Sequence, residues 1–472
     1  MKQTRRFIRF FTIALCAMVV LTAITYVTMV RANSGRWLNS AYNTRLQEAR
    51  KTTRQGTVYD SAMLPLARSR AAGERSYIED DRVRLALSHT IGDQKGMSET
   101  GVENMHATTL LGMTDITGAE KTLQRLMGDD PAGYDIVLTV SAELSAYIAD
   151  LFPAGSKGAC AVINYKTGAI LAKVSLPVYD PANIDARAED TAYYDRALQF
   201  RYAPGSVFKI VTLASALENI PDVQQKQFDC AGEWNFVVGS TIRCAGGKAH
   251  GTMDLKKAFA ESCNITFASL AYSLKAPKLR ATSEQFAFND NFLFEDIMLY
   301  PSHCLSASQD DNELIQAGFG QGTTEVTPMH MAMIAGAVAN GGEMMEPKLI
   351  KEVRRPGGGV VRTMTPRIYR RAISKEVAET IAYYMYEVVR SGTGTRAQIE
   401  GYQGRVCGKT GSAEVSNNKE AATNAWYVGF LYGDDEHPYA IAVIVEDGGS
   451  GGATAAPIAS KALQRAIDMN LY

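Results

Sequence analysis

Charge of one sign is missing from this chain: 49 Lys and Arg stand against 50 Asp and Glu, a formal net charge of -1 over 472 residues. That excludes the basic excess by which nucleic-acid binders hold phosphates. A phosphate-cradling loop is missing too, because Gly318-Phe319-Gly320-Gln321-Gly322 has neither the Lys of a P-loop nor the spacing of a dinucleotide fingerprint. Cysteine is sparse, with seven in the whole chain. Six of these lie beyond the N-terminal apolar run and could close three disulfides, but a large domain has little need of such staples. What is present is a 46% hydrophobic share, enough for a sizeable core, on a length that fits two or three domains.

Lys2, Arg5, Arg6 and Arg9 precede Phe10 to Val30, an uncharged stretch of 21 residues. As a helix it is long enough to span a hydrocarbon core, and the flanking positive charges predict a cytoplasmic N-terminus with everything after Arg31 outside. The alternative is a cleaved signal peptide, whose apolar region is shorter, about 7–15 residues. The expected organisation is a cytoplasmic tail over 1–9, a transmembrane anchor over 10–30, a non-catalytic unit over 31–140 and a catalytic domain over 141–472.

Asp135 to Val140 is rich in β-formers, and Leu144, Tyr147, Ile148 and Leu151 follow as an apolar helical stripe. Cys160–Tyr165 and Ala169–Ser175 read as a strand pair turned by Lys166-Thr167-Gly168. The next 150 residues read as mainly helical. Strands return at 406–415, 425–432 and 439–446, and an amphipathic helix closes the chain over 457–468. Strands at both ends of a domain with helices between them predict an α+β fold, its sheet closed by N- and C-terminal segments.

Three strings carry chemistry: Ser206-Val207-Phe208-Lys209, Ser262-Cys263-Asn264 and Lys409-Thr410-Gly411-Ser412. Alone, each is weak, and an isolated S-x-x-K is most often a solvated helix face. In this order they make an acyl-transfer set, which needs a nucleophile, a base beside it and donors for the oxyanion. Ser206 and Lys209, three apart, share one helix face, with Ser206 in the first turn after Pro204-Gly205. Lys209 acts as a base only where a buried, cationic setting lowers its pKa, and Lys409 is the natural second cation. Ser262 and Asn264 suit a proton relay to the leaving group and a hold on the substrate amide, although such a string is also a helix cap. Lys409 to Glu414 reads as an exposed strand edge able to bind an extended peptide. Gly411 lets that backbone come close, and the Ser412 N–H joins that of Ser206 as an oxyanion hole. Lys409, Thr410 and Ser412 are the expected substrate-binding groups.

The set resembles class B penicillin-binding proteins, monofunctional D,D-transpeptidases, over nearly everything after the anchor. Tyr194-Asp195-Arg196-Ala197-Leu198-Gln199, Gly318 to Gly322 with Thr327-Pro328, and Ala425-Trp426-Tyr427-Val428-Gly429-Phe430 add to the likeness. The resemblance implies a β-lactamase-like transpeptidase domain, its antiparallel sheet flanked by helices, on an elongated mixed pedestal over 31–140. It implies that Ser206 attacks the penultimate D-Ala carbonyl of a peptidoglycan stem peptide and that β-lactams acylate the same serine. No catalytic cofactor is implied. With no room for a fused glycosyltransferase, it implies a separate SEDS-type polymerase as membrane partner, within an elongation or division complex. A D,D-carboxypeptidase or β-lactamase on the same fold is the first alternative, and a β-lactam sensor that no longer turns over is the second.

Cys230, Cys244, His250 and Cys263 fall within one short stretch and make a complete tetrahedral zinc set. Some class B relatives resemble this chain in placing zinc ligands here, one of them inside the second motif. The alternative is a Cys230–Cys244 disulfide with Cys263 as a small buried hydrophobe. His303-Cys304 is a weaker pair, and His89 and His106 read as ordinary polar residues.

Overall fold

The computed structural model describes residue 7 and residues 10–26, 43–113, 132–184, 190–237, 240–305, 310–414 and 423–471. The sheet that carries the third motif has five antiparallel strands in the order Arg405–Glu414, Thr423–Tyr432, Tyr439–Val445, Gly158–Asn164, Ile170–Leu176. C-terminal strands therefore pair directly with the first strands of the domain, as expected. The Lys166-Thr167-Gly168 turn is held by Asn164 Oδ1, which accepts from the N–H groups of Lys166 and Thr167 at 2.9 and 3.1 Å.

Period-two alternation explains why these strands are so uniformly apolar. Ala161, Ile163, Ala440, Ala442, Trp426 and Val428 face one core, while Cys160, Val162, Ile441, Val443 and Tyr427 face another. The helix Pro328–Ala339, buried along its whole length, covers the first face. Helices Ala142–Leu151 and Ala455–Asp468 cover the second.

A second sheet runs Val360–Thr363, Ile350–Arg354, Asp135–Leu138, Val58–Tyr59, Pro65–Arg68, Ser76–Tyr77. Its middle strands Val58–Tyr59 and Asp135–Leu138 are parallel, and Ile350 lies opposite Leu138. The chain thus returns at 350–363, across the expected 140/141 division, to complete this second sheet.

Among its described residues, the stretch of 150 expected to be mainly helical holds four short strands, Gln227–Cys230, Glu233–Val237, Ser240–Arg243 and Gly251–Asp254. Four or five residues are too few to show a period, and these strands pair only with one another, as two short ribbons. The helix Asn264–Gln285 is broken at Lys275, two residues before Pro277, whose ring excludes the helical conformation just upstream.

Near the N-terminus, residues 10–26 are helical and exposed, with Thr22 and Thr25 hydroxyls donating to the Met18 and Leu21 carbonyls at 2.8 Å. Among the described residues no helix is long and apolar enough to cross a membrane. Residues 27–42, with the end of the expected anchor, lie outside the described residues.

Candidate active site

Ser206 sits in a tight 3₁₀ turn, Gly205–Phe208, that runs straight into the α-helix Lys209–Asn219. The expected first helical turn is thus wound more tightly. Gly205 adopts φ 54°, a conformation costly for any residue with a Cβ. It is also wedged: its N–H donates to Gly320 O at 2.8 Å, and an added Cβ would stand 3.1 Å from Ala413 Cβ and 3.2 Å from Ser412 O. The approach to the turn is pinned by a two-way backbone bridge between Tyr202 and Val326 and by Trp426 Nε1, which donates to Ala203 O at 3.1 Å. Ser206 is left half-buried.

The other two motifs converge one turn further on. Lys209 Nζ donates to Ser262 O at 2.6 Å, to Asn264 Oδ1 at 2.7 Å and to Ser262 Oγ at 3.2 Å. Lys409 Nζ reaches the same Ser262 Oγ from the opposite side, at 2.9 Å, and donates also to Thr410 O at 3.0 Å. A hydroxyl has one proton and two lone pairs, so Ser262 can accept from one amine while donating to the other once that amine is neutral. Burial holds the Lys209 ammonium down to about 7. Burial first, and then the Lys209 charge, hold Lys409 well below the usual lysine range. The expected influence of one cation on the other thus falls on Lys409, while desolvation alone lowers Lys209.

The geometry of Ser262-Cys263-Asn264 follows from its place between two helices. Leu255–Ala260 ends just before it, and Cys263 caps the next helix, Asn264–Gln285, with Sγ accepting from Thr266 N–H at 3.4 Å. Ser262 takes φ 59° in this corner. Asn264 Nδ2 donates to Arg243 O at 2.9 Å, leaving its oxygen for Lys209. The string is thus a helix cap as well as the meeting point of the two lysines.

Lys409 to Ser412 lie on the edge strand of the five-stranded sheet, as expected, with one side unpaired among the described residues, but of the four only Ser412 is exposed. An added Cβ at Gly411 would approach Pro204 O, Trp426 Cβ and Val207 Cγ1 at 3.0–3.1 Å, which lets this strand lie against the nucleophile turn. Thr410 departs from the expectation of a substrate-facing hydroxyl: it is 6% exposed, and its Oγ1 is 2.6 Å from Thr393 Oγ1. Thr393 itself is exposed and tied by its N–H to Ala260 O at 3.2 Å, next to the Ser262 corner. Sequence reasoning missed it, since nothing local in Gly392-Thr393-Gly394 ties it to a motif on another element.

The four predicted metal ligands come together. Cys230 Sγ lies 3.6 Å from Cys244 Sγ and 3.3 Å from His250 Nδ1, and Cys244 Sγ lies 3.8 Å from Cys263 Sγ. All four donor atoms are within 4.8 Å of one another, and the cysteines are free. A disulfide needs sulfurs about 2.05 Å apart, whereas sulfurs on a tetrahedron of about 2.3 Å Zn–S bonds stand about 3.8 Å apart. The donor set and its spacing therefore fit zinc. The hydrogen bond between Cys244 and Cys263 lowers the Cys244 thiol to about 7 and, together with burial, pushes the Cys263 thiol up, while burial keeps the His250 imidazole below its ordinary value.

The remaining candidates are structural. His89 Nε2 and His106 Nε2 bond the Ala192 and Asp296 carbonyls at 2.8 and 3.2 Å, and buried Cys304 is contacted by the Ser283 and Thr324 hydroxyls.

Residues 158–464 match the penicillin binding protein transpeptidase domain. The chain is 30% identical over 399 residues to the peptidoglycan D,D-transpeptidase PbpA of Mycolicibacterium smegmatis, covering 79% of this chain and 80% of that one. Its fold superposes with a TM-score of 0.79 on penicillin-binding protein A of M. tuberculosis as its ceftriaxone acyl-enzyme, at 26% identity over 89% of this chain and 99% of that one. A D,D-transpeptidase domain of a peptidoglycan glycosyltransferase from Eggerthella lenta gives 0.76 at 30% identity, over 89% of this chain and 99% of that one. The nucleophile turn, the two lysines on Ser262 and the open strand edge thus belong to a class B member of the penicillin-binding protein transpeptidase family.

Proposed function

We propose that this chain is a peptidoglycan D,D-transpeptidase working through an acyl-enzyme on Ser206. The observation that carries the reading is the convergence of Lys209 and Lys409 on Ser262 Oγ beside the Ser206 turn. Neutral Lys209 takes the Ser206 proton as Oγ bonds to the penultimate D-Ala carbonyl carbon. The oxyanion is received by the N–H groups of Ser206 and Ser412. The peptide C–N bond then breaks, and Ser262, between the two lysines, passes a proton to the departing D-Ala amine. An amine from a neighbouring stem attacks the ester and restores Ser206. A β-lactam enters the same way, but its amine stays tethered after ring opening. Asn264 holds Lys209 and the substrate amide, and Lys409, itself buried, fixes Ser262 and favours a carboxylate at the strand edge.

This reading predicts a pH profile. The base form of Lys209 is required, so penicillin acylation rises with pH, is half-maximal near the Lys209 value of about 7, and levels off above it. Stopped-flow acylation between pH 5 and 9 measures it, and a flat profile removes Lys209 as the base. The penicilloyl-enzyme persists for hours, and release within seconds indicates a β-lactamase instead.

The substrate carboxylate is read as lying against the Thr393–Thr410 pair and Ser412. The Thr393 and Thr410 hydroxyls share a hydrogen bond of 2.6 Å, and with buried Thr410 as the donor the exposed Thr393 proton is left for the carboxylate. Thr393→Val weakens binding of carboxylate-bearing β-lactams about 10- to 150-fold, the scale of one hydrogen bond to a charged group. Thr393→Ser keeps wild-type affinity. Because the two hydroxyls act as one unit, Thr393→Val/Thr410→Val costs little more than either change alone. Additive losses in a double-mutant cycle count against the pair.

Zinc is the proposed structural metal, held by Cys230, Cys244, His250 and Cys263. When bound it cross-links the 227–263 stretch and supplies no chemistry to the reacting bond. The apolar stretch Phe10–Val30 is the proposed single-pass anchor: at 1.5 Å per residue its 21 residues reach about 32 Å. Lys2, Arg5, Arg6 and Arg9 then stay cytoplasmic and the catalytic domain is extracytoplasmic. Residues 31–140, joined in their sheet by 350–363, form the pedestal, and a separate SEDS-type polymerase in the membrane is the expected partner.

A further inference from the structure

Ser206 and Ser412 reach the cleft on segments far apart in sequence, and one short loop is bonded to both. The loop leaves the strand Tyr439–Val445 at Glu446. Glu446 Oε1 accepts from Arg196 Nε and from the Tyr202 hydroxyl, each at 2.7 Å. Arg196 is 2% exposed, stacks on Phe200 at 4.5 Å and donates to Thr191 O at 3.1 Å, so its position is fully determined. Tyr202 leads through Ala203 and Pro204 into the Ser206 turn.

Five residues beyond Glu446, the Gly451 N–H donates to Ser412 Oγ at 3.2 Å. Gly451 lies so close to the edge-strand pair that an added Cβ would stand 2.2 Å from Trp426 O and 2.3 Å from Gly411 O. The span between is pinned as well: Asp447 N–H donates to Asn424 Oδ1 at 3.2 Å, Gly449 N–H to Thr423 O at 2.8 Å, and Thr454 Oγ1 to Gly448 O at 2.8 Å. The loop is therefore a short rigid brace with one end on the approach to Ser206 and the other on Ser412.

We propose that residues 446–451 set the spacing between the two N–H donors of the oxyanion hole, with Glu446 and Gly451 as positioning residues for acyl transfer. The proposal rests on the reading of Ser206 and Ser412 as those donors. An oxyanion hole works only when both donors already stand about 2.7–3.1 Å from the oxygen, so a small change in their separation weakens the transition state while leaving ground-state binding nearly intact. No bond to substrate is made by Glu446 or Gly451; each acts through the segment it holds.

The test compares the full chain with Glu446→Gln, Tyr202→Phe and Gly451→Ala, using penicillin G. Acylation rate constants and the preceding dissociation constant are separated by stopped flow. The ester carbonyl stretch of each acyl-enzyme is read by infrared difference spectroscopy with carbonyl-labelled penicillin. Glu446→Gln and Gly451→Ala are expected to slow acylation about 10- to 100-fold, part of the effect of losing a whole oxyanion donor. The dissociation constant stays within about twofold of the natural chain and the carbonyl stretch moves to higher frequency. Tyr202→Phe moves both readouts less, in the same direction. If Gly451→Ala does not fold, the other two variants decide. A merely structural role lowers the melting temperature and the acylatable fraction but leaves rate and frequency of the folded enzyme unchanged, and that result overturns the proposal. An adduct persisting in Ser206→Ala would instead overturn the nucleophile itself, so the two failures are distinguishable.

Discussion

Ser206→Ala, incubated with penicillin, gains no mass, whereas the natural chain gains one penicilloyl group. The expected loss of turnover is large, about 10⁶-fold by analogy with nucleophile removal in serine hydrolases. No neighbouring group replaces Ser206. Ser262 Oγ is enclosed by Lys209 and Lys409 at 3.2 and 2.9 Å, in a residue held at φ 59°. Both lysines are fully buried, and both are bonded to the fixed motifs. Thr410 is tied to Thr393, and Ser412 Oγ takes the Gly451 N–H. Because one methylene-bound oxygen is removed from a half-buried position, the fold is expected to survive, and unchanged thermal unfolding checks this. Intact-mass spectrometry is decisive: an adduct on the Ala variant removes Ser206 from its role.

Removing the metal is expected to have the second largest effect. Protein purified without added zinc is expected to carry one zinc per chain, and chelation or Cys230→Ser to remove it. The stretch 227–263 holds short strands of four or five residues and the helix Leu255–Ala260, and the buried cluster around the ligands is small: Cys230, Cys244, Met253, Ala258, Cys263 and nearby Ile265. Half of that cluster is thiol, so without a metal it has little apolar burial to hold it. Structural zinc contributes about 10–16 kcal/mol in small fingers; in a domain with its own cores only part of that passes into global stability. The expected result is a melting temperature lowered by several degrees. Acylation also slows, because Cys263 lies between Ser262 and Asn264, the residues that hold Lys209. Cys230→Ser, remote from Lys209 in the chain, separates the metal from direct damage to the motif. Metal analysis by inductively coupled plasma, paired with thermal unfolding, measures both. Far less than one zinc per chain with full activity would sink the metal.

The strands of the five-stranded sheet were legible to within about two residues, and for a physical reason. Central strands buried on both faces leave runs such as Tyr439–Val445 with no polar interruption, and the turn at 166–168 carries its own chemistry. The short strands between Gln227 and Asp254 were not legible, because four residues cannot distinguish a strand from a helical turn. Ile350–Arg354, three of whose five residues are charged, could not be assigned to a sheet, since its partner Asp135–Leu138 lies more than two hundred positions earlier.

In the site, local chemistry identified what had to be local. A Ser three residues before a Lys, at a Pro-Gly entry, is a one-turn relation, and a Cys3His set is a matter of donor type. The sequence by itself therefore determined the nucleophile candidate, the order of the motifs, the donor set and the strands of the main sheet. Only the tertiary structure decided who shares each hydrogen bond. Lys209 and Lys409 meet on one hydroxyl, Thr410 turns to Thr393, and Glu446 holds Arg196 and Tyr202. Those pairings depend on strand register and on how remote segments close onto one another. Neither is carried by residue type or local spacing, because a one-residue slip changes every partner while the sequence stays the same.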